Sequence, residues 1–296
     1  MTENAQILAS GVAAGCVLAL VALGFVIVSK ATGVLNIAQG GFVALGAYLT
    51  YSGQEILNLP FWPAVLLATV LVAVVAAVLE ATIVHRVALQ GLYPPILVTF
   101  GISIVVPAVI AGVWGTAQLT LHDPWGLAKV SIGSLSIGQR DLAVVVVTLV
   151  VLALFVLFFR FSRLGLAMQA AAEDPEAAMA QGISDRLVHR LAWAISGALG
   201  AIAGSLLATT GGGGVRPGME VLALLALPVI IFGGLTSPTG AVVAGLVIGV
   251  VQQFAVVRLP DAVGDGFHEV VPYLLMLAML LVRPQGLFGS AQARRI

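Results

Sequence analysis

The sequence contains few charged residues and a single cysteine. Only 9% of its 296 residues are charged, and the 13 basic and 13 acidic residues cancel to a net charge of zero. A soluble domain carries about a quarter charged residues, so a soluble globular fold is excluded. Without a basic field, nucleic acid is excluded as a partner. Cys16 cannot form an internal disulfide, so the fold does not depend on redox conditions.

Motifs for nucleotide binding, zinc proteolysis and covalent catalysis are also missing. A P-loop needs a glycine-lysine pair, but neither Lys30 nor Lys129 follows a glycine. His268 begins the pattern of a zinc-protease helix, yet Pro272 occupies the position of the second histidine. We therefore predict that the chain is not an enzyme, has no metal site and binds no cofactor of its own.

Long hydrophobic runs dominate the sequence, which is 60% apolar with a mean hydropathy of +1.12. About 20 apolar residues cross a bilayer, and backbone in lipid must be helical unless strands close into a barrel. The runs are too uniformly apolar for barrel strands. The pattern predicts an all-α polytopic membrane protein, one transmembrane domain over residues 1–296. We expect about eight to ten transmembrane or re-entrant helices. The apolar segments lie at residues 6–28, 34–51, 61–84, 94–114, 141–159, 189–210, 220–235, 238–258 and 269–283.

The segment 220–240 differs from the other runs. Its apolar part is too short to cross a bilayer alone, and Pro228 and several glycines interrupt it. Broken helices are tolerated in membranes where protein or a water-filled cavity covers them. We therefore predict a short or broken helix that lines a translocation path or its gate.

Basic residues predict the orientation. With the N-terminus outside and alternating spans, nine of the 13 basic residues lie inside, as the positive-inside rule requires. The inner residues are Lys30, Arg86, Arg160, Arg163, Arg186, Arg190, Arg283, Arg294 and Arg295, and the outer ones are Lys129, Arg140, Arg216 and Arg258. The C-terminus is therefore predicted to be cytoplasmic.

Ionisable residues are placed at the ends of the predicted spans. Ion-coupled carriers usually need a charged group in mid-membrane, whereas Glu80 lies near an inner end and Glu220 at an outer end. This placement disfavours a secondary carrier. The histidines also lie at membrane edges, where we interpret them as interfacial side chains: His85, His122, His189 and His268.

The inner loop at residues 160–188 is predicted to contain a short cytoplasmic helix. Asp174 is a good N-cap, Pro175 suits the first helical position, and Glu176 favours the positive helix end. Gly182 can adopt the left-handed conformation that ends a helix. The small, weakly apolar surface of this helix suits either a partner groove or the lipid interface.

Within this loop, Glu176-Ala177-Ala178, three further residues and Gly182 resemble the EAA-x3-G core of the coupling loop of ABC-importer permeases. The Leu-Pro that continues the family pattern is absent at the matching spacing. A wider match resembles LivH-like permeases of branched-chain amino-acid importers. Segments in family order carry it: 33–40, 160–165, 171–174, 182–186, 196–204, 233–241 and 283–289.

The resemblance implies a permease subunit in the inner membrane of a prokaryote, which translocates a small solute, most plausibly a branched-chain or hydrophobic amino acid. It further implies two ATP-binding subunits that use ATP and Mg²⁺, a second related permease and an extracytoplasmic solute-binding protein. The residues it assigns to ATPase coupling are Glu173, Asp174, Pro175, Glu176, Ala177, Ala178 and Gly182. The alternative is a channel or secondary carrier for a small polar solute, such as urea or an amide, without ATPase partners.

Isolated polar residues suggest where a solute could pass. Asn36 and Gln39 lie among glycines, where they either cap a broken helix or line the translocation path. Thr99 and Ser103 are weaker candidates for the path, because hydroxyls in membrane helices usually bond to the preceding turn.

Three Gly-x3-Gly pairs predict close helix packing within the subunit. They are Gly11 with Gly15, Gly200 with Gly204, and Gly245 with Gly249.

Overall fold

The computed structural model describes residues 2–88, 91, 93–126, 128–132, 135–210, 214–258 and 266–289. Most of these residues are helical, and each predicted apolar segment contains a helix. The helices are α1 (Thr2–Thr32), α2 (Gln39–Glu55), α3 (Phe61–Leu79), α4 (His85–Ala88), α5 (Tyr93–Trp114), α6 (Gln139–Phe161), α7 (Arg163–Glu173), α8 (Pro175–Ala180), α9 (Asp185–Leu207), α10 (Met219–Leu222), α11 (Ala226–Gly233), α12 (Pro238–Arg258) and α13 (Phe267–Val282). Arg294 and Arg295, on which the prediction for the C-terminus partly rests, lie outside the described residues.

Within the described residues, six helices are long and apolar enough to cross a membrane. Burial differs strongly among them: 83% of the apolar window of α1 is buried, against 11% for α6. The outer helices instead expose apolar stripes, such as Leu66, Val70, Val74 and Val78 at four-residue spacing on α3. A bundle with an apolar exterior is what a bilayer requires, so the prediction of an all-α polytopic membrane protein is confirmed.

Helix α1 lies at the centre and packs along its length against α12. A Cβ placed on Gly15 would lie 2.7 Å from the Gly245 carbonyl oxygen, and one on Gly249 would collide with the Gly15 backbone. A Cβ on Gly204 would likewise collide with the Val43 backbone on α2. Without side chains between them, the backbones touch, so the predicted close packing within the subunit is confirmed.

The segment 219–233 is a broken helix, as predicted from its length. It consists of α10, a 3₁₀ turn at Ala223–Leu225, and α11. Gly234, with φ of 110°, ends α11 in a conformation that favours glycine.

The chain after α13 folds back onto the end of α11. The Leu287 and Phe288 N–H groups donate to the carbonyls of Phe232 and Gly233, at 2.8 and 3.0 Å. This contact gives the 283–289 segment a structural role, because it satisfies carbonyls that the helix end leaves free.

The outer loop contains structure that the sequence analysis did not predict. Strands β1 (Lys129–Ile132) and β2 (Leu135–Gly138) form an antiparallel hairpin that leads into α6. Phe61, Trp62 and Trp125 cluster nearby, with ring centroids 5.1–5.6 Å apart. Tryptophans concentrate at membrane–water interfaces, which agrees with placing this end at a membrane edge.

Residues that the predicted alternation of spans places on one side do lie together. Lys30 and Arg160, both assigned inside, line one cavity, whereas Arg258 and Glu3, both assigned outside, form an ion pair at 3.6 Å. The packing therefore agrees with the alternation of spans. Which side is cytoplasmic stays a prediction.

Candidate functional site

The short helix α8 in the predicted inner loop begins as the sequence indicates. The Asp174 carboxylate accepts a hydrogen bond from the Ala177 N–H at 3.1 Å, and Pro175 occupies the first turn. Both features satisfy or remove N–H groups that a helix start leaves free. The start of α8 is therefore fixed by local sequence.

The end of α8 is a Schellman motif. Gly182 has φ of 85°, and its N–H donates to the Met179 carbonyl at 2.9 Å. The Ile183 N–H donates to the Ala178 carbonyl at 3.1 Å, which completes the motif. Because both ends are capped, six residues hold a helix that would not be stable alone.

Ala178, one of the residues predicted to take part in ATPase coupling, faces inward. It is 5% exposed and packs in a cluster with Met168, Val188 and Trp193 of the same chain. The remaining predicted coupling residues with side chains are exposed: Glu173, Asp174, Pro175, Glu176 and Ala177. Ala178 therefore anchors α8 to the rest of the same chain, because it lies on the face of the helix that packs against the core. Ala177 and Met179 form the outward surface instead.

Helix α8 is connected rigidly on both sides. Ser162 caps α7 by accepting from the Gly165 N–H at 2.8 Å, and a Cβ on Gly165 would collide with the Phe158 carbonyl at the end of α6. On the other side, α9 starts at Asp185, soon after Gly182. Short connections thus join α8 to two long helices, α6 through α7 on one side and α9 on the other.

Asn36 lies in the non-helical segment between α1 and α2 and is fully buried. Its side-chain oxygen accepts from the Ala38 N–H at 3.1 Å, just before α2 begins. This contact has the geometry of an Asx-turn at a helix start.

Gln39 joins three helices at the centre of the protein. Its amide N–H donates to the Ser196 carbonyl at 3.2 Å, and its carbonyl accepts from the Ser196 hydroxyl. The side chain fits against Gly24 of α1 and Gly200 of α9, where a Cβ would meet the amide. Gln39 is fully buried, so it holds helices together in this conformation.

Thr99 and Ser103 are placed differently from each other. Thr99 is buried; its hydroxyl accepts from the Ile37 N–H at 3.3 Å and donates to the Ile96 carbonyl at 2.9 Å. Ser103 donates to Phe100 in its own helix and is partly exposed. The structure thus brings Asn36, Gln39 and Thr99 together around the break between α1 and α2, and leaves Ser103 apart from them.

A cavity of about 540 Å³ opens between α1, α6, α12 and α13, at the end assigned outside. We call it the outer groove. Several polar side chains line it, together with apolar ones such as Val17 and Val256; the polar residues are Ser10, Arg140, Asp141, Thr210, Gln252, Gln253 and His268. Its size is typical of a small-molecule site.

Arg140 and Asp141 form the charged part of the outer groove. Their side chains pair at 3.2 Å, Asp141 also accepts from the Ser10 hydroxyl at 3.0 Å, and Arg140 donates to the Thr209 carbonyl at 3.3 Å. The Arg140 Nε group is buried and has no hydrogen-bond partner in the part of the chain that the structure describes. The groove thus contains a cation, an anion and apolar walls. Sequence reasoning missed it because its residues come from distant segments.

Known proteins with similar sequences are described as permeases of branched-chain amino acid transport systems. Residues 7–280 match the family described as "Branched-chain amino acid transport system / permease component". The chain is 28% identical to the high-affinity branched-chain amino acid transport system permease protein BraD of Pseudomonas aeruginosa, over 98% of this chain and 97% of that protein. It is 26% identical to the corresponding LivH of Escherichia coli K12, over 97% and 96%.

A second type of permease protein from the same organism is also similar. LivM of Escherichia coli K12 is 28% identical, over 90% of this chain and 67% of that protein. Among solved structures, "PsaBC from Streptococcus pneumoniae in complex with Fab" has a TM-score of 0.51 at 12% identity, covering 95% of this chain and 92% of that one. At this identity the likeness concerns the fold alone.

Proposed function

Because this chain belongs to the branched-chain amino acid transport system permease family, we propose that it is a membrane-spanning subunit of an ABC importer for branched-chain or other hydrophobic amino acids. The chain itself makes no covalent bond with its cargo and takes no part in ATP hydrolysis. Separate ATP-binding subunits hydrolyse ATP with Mg²⁺ and drive alternating access. The names of the relatives and the form of α8 support this proposal.

The observation that carries the ATP-driven mechanism is the exposed surface of α8. The helix is capped at both ends, presents Ala177 and Met179 outward, and is anchored through Ala178. An apolar helix surface in an inner loop fits a groove on a partner protein. We propose that this surface docks into an ATP-binding subunit and that α7 and α9 transmit the motion.

The other proposed partners are a second permease and an extracytoplasmic solute-binding protein. One organism contains two relatives of this chain, LivH and LivM, which supports pairing with a related permease. Two such permeases would present two α8 surfaces, one for each of two ATP-binding subunits.

We propose that the protein lies in the plasma membrane of a prokaryote, with its N-terminus outside and its C-terminus in the cytoplasm. The excess of basic residues on the inner side supports this orientation. It places α8 in the cytoplasm, where ATP is available, and the outer groove toward the delivered solute.

The outer groove supports an amino acid as cargo. A free amino acid carries a carboxylate, which suits Arg140, and an ammonium group, which suits Asp141; its apolar side chain suits the groove walls. Below the groove, we propose that Asn36, Gln39 and Thr99 shape the path by holding the break between α1 and α2, with Ser103 at its edge. The broken helix at 219–233 is proposed to form the gate.

The groove leads to a prediction about charge. Asp141→Asn should lower leucine uptake by about 10-fold or more, because a hydrogen bond to a charged group contributes roughly 1.5–3 kcal/mol. The measurement is the concentration dependence of leucine uptake by the intact transporter. The matched control is Glu55→Gln, which removes an exposed outer carboxylate away from the groove. Unchanged uptake by the Asp141 variant would remove the groove from the path.

The proposed function is tested by purifying a tagged form of the chain from its native membranes and reconstituting the complex in liposomes. We expect nucleotide-binding chains to co-purify in stoichiometric amount. Leucine uptake should require trapped ATP and stop with a non-hydrolysable analogue. Uptake by the chain alone, driven by a solute or ion gradient, would instead establish the channel or secondary carrier.

A further inference from the structure

Three potential metal ligands converge at the end of the bundle assigned to the cytoplasm. Glu80 follows α3, His85 begins α4, and His189 lies in the first turns of α9. One ligand atom from each residue lies within 4.8 Å of the other two. They line a cavity of about 120 Å³, together with Asp185 and Trp193. Neither the family nor the proposed mechanism gives this cluster a role.

A local departure from α-helix geometry brings Glu80 and His85 together. Five residues in an α-helix turn through about 500°, which would separate the two side chains by about 140°. Residues Glu80–Val84 instead form a π-helical turn, and the His85 N–H donates to the Glu80 carbonyl. In a π-helix, residues five apart lie one above the other, and such turns occur frequently at functional sites.

Polar atoms in the cluster lack partners that their burial requires. Glu80 is 1% exposed, yet among the described residues its Oε2 atom accepts no hydrogen bond and the His85 Nδ1 atom has no hydrogen-bond partner. The closest approach of His85 Nδ1 to the carboxylate is 3.6 Å. Unsatisfied buried polar atoms are costly and are uncommon in folded proteins. Their position facing one cavity indicates a missing polar or charged ligand.

The charges around the cavity favour a cation. Glu80 and Asp185 contribute two carboxylates, and His189 Nε2 lies 3.2 Å from Asp185 Oδ1. Arg190 is the nearby positive charge, 3.6 Å from Glu80 Oε2, but its side chain is 47% exposed. It can therefore turn toward water when a cation enters.

We propose that Glu80, His85 and His189 form a binding site for a divalent transition-metal ion, with Zn²⁺ as the best-matched ion. Two imidazoles and one carboxylate are an established ligand set for zinc, with a fourth position open to water. In a tetrahedral site with bonds of about 2.0–2.1 Å, ligand atoms lie about 3.3 Å apart. The distance of 3.6 Å between His85 Nδ1 and the Glu80 carboxylate already approaches this spacing, and all three ligand atoms lie within 4.8 Å of one another.

The position of the site defines what a bound ion would connect. It would bridge the inner end of α3 to the first turns of α9, directly after the segment that contains α8. The metal would therefore hold the first turns of α9, which directly follow the segment that contains α8, against the end of α3.

The test uses the full chain purified in detergent and stripped of metal with a chelator. Titration with Co²⁺ should produce the visible absorption of a site with nitrogen and oxygen ligands, and Zn²⁺ should abolish it at one ion per chain. His85→Gln and His189→Gln should each weaken Zn²⁺ binding by about 100-fold or more, since even outer partners of metal ligands contribute about 10–100-fold.

The control is His122→Gln, which removes an exposed histidine at the opposite end of the protein. This variant should bind Zn²⁺ as the unmodified chain does. Absence of Co²⁺ absorption in the unmodified chain would overturn the proposal without any variant. The proposal would also be overturned if the His85→Gln and His189→Gln variants bound Zn²⁺ as tightly as the unmodified chain, because the ion would then bind elsewhere.

Discussion

Replacing Ala177 with Trp should uncouple leucine uptake from ATP hydrolysis in the reconstituted importer. Ala177 lies on the outward face of α8, where an indole would prevent close docking to the ATP-binding subunit. Changes at the few central hot-spot residues of an interface alter binding by about 2 kcal/mol or more, roughly 30-fold. We therefore expect uptake to fall by at least about 10-fold. The measurement is leucine uptake alongside ATPase activity in the same vesicles.

The chain should still fold, because Ala177 makes no core contact. A matched control is Ala153→Trp, which adds the same side chain to an exposed position on α6 and should transport normally.

A second pair of substitutions changes the backbone at the end of α8. Gly182 has a left-handed backbone conformation that strains valine, so Gly182→Val should impair coupling. Gly182→Asn is its control, because asparagine tolerates that conformation. Wild-type coupling in both the Ala177→Trp and the Gly182→Val variants would show that α8 does not couple transport to ATP hydrolysis.

Replacing Gly15 with Val should prevent the protein from accumulating in a folded form. A Cβ at this position would lie 2.7 Å from the Gly245 carbonyl oxygen and 2.8 Å from the Leu246 Cα atom, and both are backbone atoms. Overpacking costs about 1–3 kcal/mol where side chains can adjust, and here α1 and α12 must separate instead. We expect the cost to exceed that range. The measurement is the fraction of protein that elutes as a single species after detergent extraction.

The control makes the same substitution where space is available. Gly112 in α5 has no atom within 4 Å of an added Cβ, so Gly112→Val should extract normally. If the Gly15 variant extracted as well as the Gly112 variant, the contact between α1 and α12 would not be needed for folding.

Features that depend on neighbouring residues could be predicted from the sequence. The apolar segments located the membrane helices, because crossing a bilayer imposes a length and a composition. The ends of α8 followed from Asp174, Pro175 and Gly182, because caps act within one turn. The resemblance to LivH-like permeases is confirmed, since its segments run through the whole chain.

Features that depend on distant residues could not be predicted. Gln39 bonds to Ser196, 157 positions away, and nothing near Gln39 in sequence indicates that partner. The outer groove combines residues of helices far apart in sequence for the same reason. Ala178 and Ala177 are identical in sequence terms, and only the packing of α8 against Trp193 and its neighbours makes one buried and the other exposed.

The π-helical turn at Glu80 was hidden for a different reason. Sequence patterns assume 3.6 residues per turn, and on that assumption Glu80 and His85 lie on different faces. His85 is instead predicted to be an interfacial side chain, because it lies at the edge of an apolar segment. A single wider turn changes which side chains share a face and brings the two residues together.

The contact between Gln39 and Ser196 opposes relative motion of α2 and α9. Breaking it without new partners would cost about 1–3 kcal/mol for each polar group. We therefore expect α1, α2 and α9 to move together, since Gln39 also packs against Gly24 of α1. Changes of shape are then left to joints without such a bond, foremost the 3₁₀ turn at Ala223–Leu225.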